Sequence, residues 1–303
     1  MTLLQFKIKA VAAAAAVVSK SPFQLNWVTI SLTVVLLLIL YRPFGGFYYR
    51  SLMALVCLTI MAIYGTIVSI IFPLFGQKGM INYTVAHGYY MVGTFFCGIK
   101  VKSEGEENLY KHKGPVIYVC NHQSSMDIML MGKVYPKNTA IVAKKQLKYY
   151  PFLGWFMILS NAIFLDRKNR KSAVAQARQA ALDIHKKNVK CISITSVWIF
   201  PEGTRGHAEE ISLLPFKKGA FFMAVQAGVP VVPVVIANYN EAYNAKKKRF
   251  LPKTIRCKVL PPISTEGVAE DSAEIEKLTN KCRDQMLEAL QEITPAYDQK
   301  KAQ

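Results

Sequence analysis

The sequence predicts an α/β fold in which N-terminal transmembrane helices precede a domain with a mostly parallel sheet. Two uncharged, apolar stretches lie within residues 1–78, which we assign to a membrane region. Short apolar runs alternate with amphipathic stretches in residues 100–303, and this alternation is typical of strands and helices in a parallel sheet. Residues 79–99 are of intermediate polarity and separate the two parts.

The two uncharged stretches cover residues 21–41 and 51–77. About 20 apolar residues suffice to cross a bilayer, so both are predicted to be transmembrane helices. Residues 79–99 are also uncharged but contain polar side chains, and we expect an interfacial or membrane-associated helix there. Asn82 begins a glycosylation sequon within this apolar stretch, which favours a chance match over a used site.

The chain is strongly basic. It has 38 Lys and Arg against 19 acidic residues, a formal net charge of +19. Such a chain attracts polyanions, and the apolar stretches favour anionic lipid over nucleic acid. The sequence contains no nucleic-acid-binding motif, and nothing in it calls for a protein partner. The six cysteines form no C-x-x-C pair, which argues against a zinc cluster or a disulfide framework, and we expect no metal.

The distribution of basic residues predicts the topology. With two spans, the lysines before the first span and the basic residues from Lys78 onward lie on one side of the membrane, which the positive-inside rule makes cytosolic. Lys300 and Lys301 near the end of the sequence resemble a dilysine retrieval signal. We therefore expect a multi-pass protein of the endoplasmic reticulum membrane whose active site is cytosolic.

Six short apolar runs, most of them rich in β-branched residues, are predicted to be strands. They cover residues 116–120, 139–143, 162–166, 192–200, 231–236 and 254–260. Three segments are predicted to be helices, namely 171–188, "FKKGAFFMAVQAG" and the long C-terminal stretch "SAEIEKLTNKCRDQMLEALQEI".

The stretch "VCNHQSSMDIML" places His122 and Asp127 directly after the strand at 116–120. Ligands of parallel sheets bind at the carboxyl ends of strands. An irregular helix start there could bring the Asp127 carboxylate to one imidazole nitrogen, leaving the other nitrogen as a general base. The alternative is that Asn121 or Ser124 caps the helix and the histidine is incidental.

Three further polar clusters follow predicted strands. They contain the candidate ligand-binding residues Lys144, Arg167, Glu202, Gly203, Thr204 and Arg205. Glycine allows a ligand to approach the backbone closely, and arginine binds phosphate in a bidentate fashion. Each cluster alone could be a solvated lysine face, a strand-end ion pair or a turn. Together, at the sheet edge that carries His122, they predict a phosphate-binding catalytic cleft.

The blocks "NHQSSMD", "AKKQLKYYPFLGWF", "AIFLDR", "FPEGTR" and "VPVVPVV" resemble those of the 1-acylglycerol-3-phosphate (lysophosphatidic acid) acyltransferases. The resemblance covers about residues 80 to 265, and "LPFKKGAFFMAVQAGVPVVPVVI" is close to the animal alpha-type enzymes. It implies a glycerolipid-acyltransferase α/β domain that transfers an acyl group from acyl-CoA to the sn-2 hydroxyl of lysophosphatidate, giving phosphatidate. Acyl-CoA is then a co-substrate, and no cofactor is implied.

The resemblance also implies residue roles. His122 would deprotonate the acceptor hydroxyl, and Asp127 would orient and charge-stabilise it. The motif residues Lys144, Arg167 and Glu202 to Arg205 would bind substrate. The segment "CISITS" (191–196) departs from the family pattern and looks like an insertion.

Three alternatives remain open. Another acceptor, glycerol 3-phosphate or a different lysophospholipid, would fit the same motifs. A serine hydrolase could use Ser124 or Ser125, although neither lies in a G-x-S-x-G elbow. A catalytically silent lipid-binding membrane protein is the third.

Overall fold

The computed structural model describes residues 27–165, 196–206 and 210–294. Two compact units are distinguished, the first ending at Gly46 and the second beginning at Phe47. In the first unit, helix α1 (Trp27–Tyr41) is uncharged and mostly apolar and has no buried residue, and a 3₁₀ turn follows at Arg42–Phe44.

Helix α2 (Phe47–Leu74) begins the second unit. Trp27–Phe44 and Phe47–Leu74 are both long and apolar enough to cross a membrane, by length and composition. One face of α2 is buried, with Cys57 and Met61 among the residues that contact the core. The rest of its surface exposes apolar side chains such as Leu52 and Ile70, so α2 is both a core helix and an apolar surface.

Helix α3 (Ile81–Cys97) packs along α2. Its buried residues recur every fourth position, which places them on one face. The side-chain amide of Asn82, in the first turn of this helix, donates to the carbonyl oxygens of Thr139 and Ser160, at 3.0 and 3.4 Å. The nitrogen that a glycan would modify is therefore engaged inside the protein, which favours the chance-match interpretation of the sequon.

A seven-stranded sheet forms the centre of the second unit, in the order β1-β9-β6-β2-β5-β3-β4. Its strands are β1 (Lys100–Glu104), β2 (Ile117–Cys120), β3 (Thr139–Lys144), β4 (Ile163–Leu165), β5 (Ser196–Ile199), β6 (Val231–Ile236) and β9 (Thr254–Val259). The five strands from β6 to β4 are parallel, whereas β9 is antiparallel to β6. The prediction of a mostly parallel sheet is confirmed.

The described part of this unit also contains helices and a small hairpin. They are α4 (Asp127–Leu130), α5 (Leu153–Leu159), α6 (Gly219–Ala227), α7 (Ser272–Ile293) and the hairpin of β7 (Tyr243–Asn244) with β8 (Arg249–Phe250). Strands β2 and β6 are buried at every position, which explains their continuous apolar runs.

Most predicted elements form close to their predicted bounds. Residues 192–195 of the fourth predicted strand (192–200), the helix predicted at 171–188 and most of the apparent insertion lie outside the described residues. Strand β1 and the hairpin were not predicted. Only Val101 is buried in β1, so this edge strand lacks the apolar run that marks the central ones.

Candidate active site

The carboxyl ends of β2, β5 and β6 meet at one edge of the sheet, and His122 lies there, two residues after β2. Its imidazole ring stacks on the ring of Phe200, which follows β5, with centroids 4.2 Å apart. The histidine side chain is 12% exposed. The ring is thus confined by an aromatic neighbour but still reachable.

Asp127 is fully buried at the start of α4. Its Oδ2 lies 2.8 Å from His122 Nδ1 and accepts the backbone N–H groups of Gln123 and Ser124, at 2.6 and 2.9 Å. Its Oδ1 accepts the hydroxyl of Tyr239 at 2.5 Å. Five residues of regular helix would not align the pair. The loop at 121–126 curls round the carboxylate instead and brings it to the ring.

This contact fixes the tautomer of His122. An ionised carboxylate only accepts hydrogen bonds, so Nδ1 carries the hydrogen and Nε2 keeps its lone pair. The arrangement has the form of the Asp–His half of a hydrolytic triad. It leaves Nε2 as the ring nitrogen that can take a proton from a substrate.

The Glu202 carboxylate accepts a hydrogen bond from the main chain of His122. It is 4% exposed, and its Oε1 accepts the backbone N–H of His122 at 2.7 Å while Oε2 accepts that of Leu214 at 3.2 Å. Burial raises the pKa of this carboxyl group. The N–H of Gly206 donates to the carbonyl of His122 at 2.8 Å. The loop after β5 therefore fastens both backbone groups of the histidine.

A cavity of about 590 Å³ opens beside the histidine. His122, Lys144, Thr204 and Arg205 contribute to its lining, and most of the rest is apolar, from α2, α3, α5 and the sheet. Its volume lies within the range of ligand pockets, roughly 300–1,000 Å³. The site thus combines an imidazole, cationic side chains and a largely apolar cavity.

The structure places the other predicted residues as follows. Lys144 is the last residue of β3 and is exposed, as are Thr204 and Arg205. Gly203 has a φ of +70°, the left-handed region that favours glycine. Both carboxylate oxygens of Glu202 accept backbone N–H groups, and its predicted contact with substrate stays a prediction. Arg167 lies outside the described residues.

Tyr239 and Phe200 are site residues that the sequence reasoning missed. Both follow strands of the central sheet, β6 and β5, at the edge that carries His122. The rule that strand ends carry functional residues could have found them. A lone aromatic residue after a strand matches no motif, however, and so gave no separate signal.

Ser124 does not have the environment of a nucleophile. Its Oγ is buried, accepts the N–H of Met126 at 3.0 Å and lies 2.9 Å from the hydroxyl of Tyr239. Ser125 is exposed and lines the cavity. The Ser124 hydroxyl is therefore held by hydrogen bonds next to the Tyr239–Asp127 pair.

Comparison with known proteins identifies the family. The Acyltransferase family profile matches residues 100–237. The 1-acyl-sn-glycerol-3-phosphate acyltransferase of Saccharomyces cerevisiae is 40% identical over 247 residues, 82% of this chain and 78% of that protein. The human alpha enzyme of the same name is 36% identical over 200 residues, 66% of this chain and 67% of that protein.

The fold has a solved counterpart. The crystal structure of the 1-acyl-sn-glycerophosphate (LPA) acyltransferase from Thermotoga maritima superposes with a TM-score of 0.58 at 24% identity. The alignment covers 84% of this chain and 96% of that one. At this identity the likeness concerns the fold, whereas the fungal and human sequences carry the assignment. The chain belongs to the 1-acyl-sn-glycerol-3-phosphate acyltransferase family.

Proposed function

We propose that this chain transfers an acyl group from acyl-CoA to the sn-2 hydroxyl of 1-acyl-sn-glycerol 3-phosphate, making phosphatidate. The names of the relatives support the acceptor and the product. The observation that carries the mechanism is the contact of 2.8 Å between His122 Nδ1 and Asp127 Oδ2, in a histidine that lines the cavity.

The reaction then needs one base and no covalent acyl-enzyme. Nε2 of His122 takes the proton of the sn-2 hydroxyl while the hydroxyl oxygen attacks the thioester carbonyl carbon. The new C–O bond forms and the C–S bond breaks, and the leaving CoA thiolate takes the proton back from the imidazolium. Asp127 stabilises the imidazolium between these two transfers.

We assign the apolar part of the cavity to an acyl chain of the substrates. Side chains of α2, α3 and α5, such as Leu58, Val85 and Met157, supply apolar lining that would remove an acyl chain from water. The polar end at His122 would then hold the reacting carbonyl or hydroxyl.

We assign the acceptor phosphate to cations around the loop after β5. Lys144 and Arg205 line the cavity with His122. The stem of Lys217 covers Gly203, since its Cγ would lie 3.5 Å from a β-carbon added there. An arginine fork with two ammonium groups suits a phosphate dianion.

The neighbouring lysine has a different environment. Nζ of Lys218 lies 2.9 Å from the Glu276 carboxylate and 3.0 Å from Ser272 Oγ on α7. Lys217 and Lys218 therefore form a matched pair in which one lysine borders the site and the other is engaged elsewhere.

The test compares truncations of these cations in purified, detergent-solubilised protein. Arg205→Ala and Lys217→Ala should raise the KM for lysophosphatidate far more than the KM for oleoyl-CoA, and Lys218→Ala should change neither. CoA release measured with a thiol reagent gives both constants. Equal effects on both substrates, or an equal effect of Lys218→Ala, would contradict the assignment.

The acceptor itself is tested by a panel. Wild-type protein should release CoA with 1-acyl-sn-glycerol 3-phosphate and much more slowly with glycerol 3-phosphate or lysophosphatidylcholine, while His122→Ala should be inactive with all three. Faster turnover of another acceptor would reassign the substrate. Binding of lysophosphatidate without any CoA release would instead indicate a silent lipid-binding protein.

We also propose residence in the endoplasmic reticulum membrane, because Lys300 and Lys301 resemble a dilysine retrieval signal, and a cytosolic catalytic unit, because of the charge distribution of the chain. Lys300 and Lys301 lie outside the described residues. Cleavage of a C-terminal tag by protease added to sealed microsomes would agree with this topology, and protection of the tag would contradict it.

A further inference from the structure

Tyr239 donates a hydrogen bond to Oδ1 of Asp127, the carboxylate oxygen that His122 does not contact. The tyrosine is 4% exposed, and its hydroxyl donates to Oδ1 at 2.5 Å. The ring nitrogen of His122 and two backbone N–H groups all bind Oδ2. We propose that Tyr239 is a positioning residue that fixes the Asp127 carboxylate and sets the basicity of His122, an inference that rests on the proposed role of His122 as the base.

The direction of the hydrogen bonds follows from counting hydrogens. Burial and the neighbouring Asp127 raise the pKa of Tyr239 well above its ordinary value, so the phenol keeps its single hydrogen. A carboxylate can only accept, and this hydrogen therefore goes to Asp127. The hydroxyl of Ser124, 2.9 Å away, must then donate to the Tyr239 oxygen, and Ser124 Oγ in turn accepts the N–H of Met126.

The resulting chain runs in one direction, from Ser124 through Tyr239 to Asp127. Each donor polarises the next, which strengthens the bond that ends on Oδ1. On the other oxygen, Asp127 accepts the hydrogen of His122 Nδ1. Tyr239 and His122 therefore compete for the negative charge of one carboxylate.

The backbone before Tyr239 is held against the histidine loop. Asn121 Nδ2 donates to the carbonyl of Ile236 at 2.9 Å, and the N–H of Ile236 donates back to Asn121 Oδ1 at 2.8 Å. The side-chain amide of Gln123 donates to the carbonyls of Ile236 and Ala237, both at 3.0 Å. These bonds fix the end of β6 relative to the His122 loop, and they thereby hold the backbone that leads to Tyr239 close to Asp127.

Removing the phenol hydrogen bond should make His122 more basic. Without the Tyr239 hydroxyl, negative charge concentrates on Oδ2 and stabilises the imidazolium form of His122. Among the described residues, the Cys120 thiol at the end of β2 and the Glu202 carboxylate after β5 also interact with this cluster, and the cations Lys144 and Arg205 line the cavity with His122. All four remain in Tyr239→Phe, so a change in the pH profile reports the lost bond.

The experiment uses the full chain and compares Tyr239→Phe with Tyr118→Phe. Tyr118 is the matched control because it is also buried, at 3% exposed, and donates one hydrogen bond, to the carbonyl of Leu109 at 2.7 Å, away from the site. Tyr239→Phe should shift the acidic limb of the pH dependence of kcat/KM upward by about one pH unit, a tenfold change in proton affinity. It should lower kcat with little change in either KM, whereas Tyr118→Phe should leave the limb in place.

The possible outcomes separate this inference from the proposed function. If Tyr239→Phe lowers turnover but its limb coincides with that of wild type, the tyrosine is only structural and the inference fails. If His122→Ala keeps wild-type turnover, the proposed base is wrong irrespective of Tyr239. Should Tyr239→Phe not fold, Ser124→Ala, which removes the donor to Tyr239, should shift the limb in the same direction by less, and an unshifted limb there also refutes the inference.

Discussion

Replacing Asp127 by asparagine should separate the charge of this side chain from its hydrogen bonds. Asparagine can place its amide oxygen where Oδ2 lies and still accept the hydrogen bonds that His122, Gln123 and Ser124 donate. Its amide nitrogen would then face Tyr239, whose hydroxyl can accept if its hydrogen turns away. The contacts at this buried position can thus persist while the negative charge is lost.

The expected magnitudes follow from that difference. Without the carboxylate, the imidazolium of His122 loses its charge partner, and kcat should fall about 10³- to 10⁴-fold. This corresponds to about 4–5 kcal/mol of transition-state stabilisation. Asp127→Ala should be as inactive, but it also leaves the N–H groups of Gln123 and Ser124 without an acceptor, and the buried N–H of Ser124 alone should cost about 1–3 kcal/mol.

The assay measures CoA release at saturating substrates together with thermal unfolding in detergent. Asp127→Asn should melt close to wild type and Asp127→Ala clearly lower, with both nearly inactive. If Asp127→Asn kept turnover within tenfold of wild type, charge on this residue would not be needed and the proposed mechanism would be refuted. If both variants melted alike, the hydrogen bonds assigned to the carboxylate would be wrong.

Three further predictions concern the surroundings of the site. Burial raises the pKa of Glu202 above its ordinary 4.5, so its contribution to the free energy of unfolding is full below that value and is lost as the pH rises through the folded pKa. Chemical-denaturation curves across the acidic range should show this loss of stability in the wild type and not in Glu202→Gln. Ala86 lines the cavity one helical turn after Asn82, and Ala86→Phe should fill the space there. This variant should reduce kcat/KM with oleoyl-CoA much more than with decanoyl-CoA, whereas an equal loss would mean that the acyl chain of the donor does not reach this part of the cavity. Gly203→Ala places a side chain at a φ of +70° and should cost roughly 1 kcal/mol of stability in a thermal melt, so an unchanged melt would show that the loop relaxes.

Elements whose signals are local could be predicted from the sequence. The strand at 231–236 and the helix at 272–293 form with the predicted bounds, because a buried strand needs a continuous apolar run and a surface helix needs an apolar stripe. His122 could be placed at a strand end for the same reason. Strand β1 escaped prediction because it buries a single residue and owes its conformation to pairing with β9, about 150 residues away.

The contacts of the polar residues depend on the tertiary structure. Spacing alone could not align His122 with Asp127, and only the curled loop makes their contact. Glu202 has the same motif position whether it faces substrate or backbone, and the fold turns it to the backbone. Tyr239 lies 112 residues beyond Asp127, and no local pattern records that the parallel ends of β2 and β6 bring them together. Such contacts arise from the order of strands in the sheet, which depends on the packing of the whole chain and not on the pattern of any one segment.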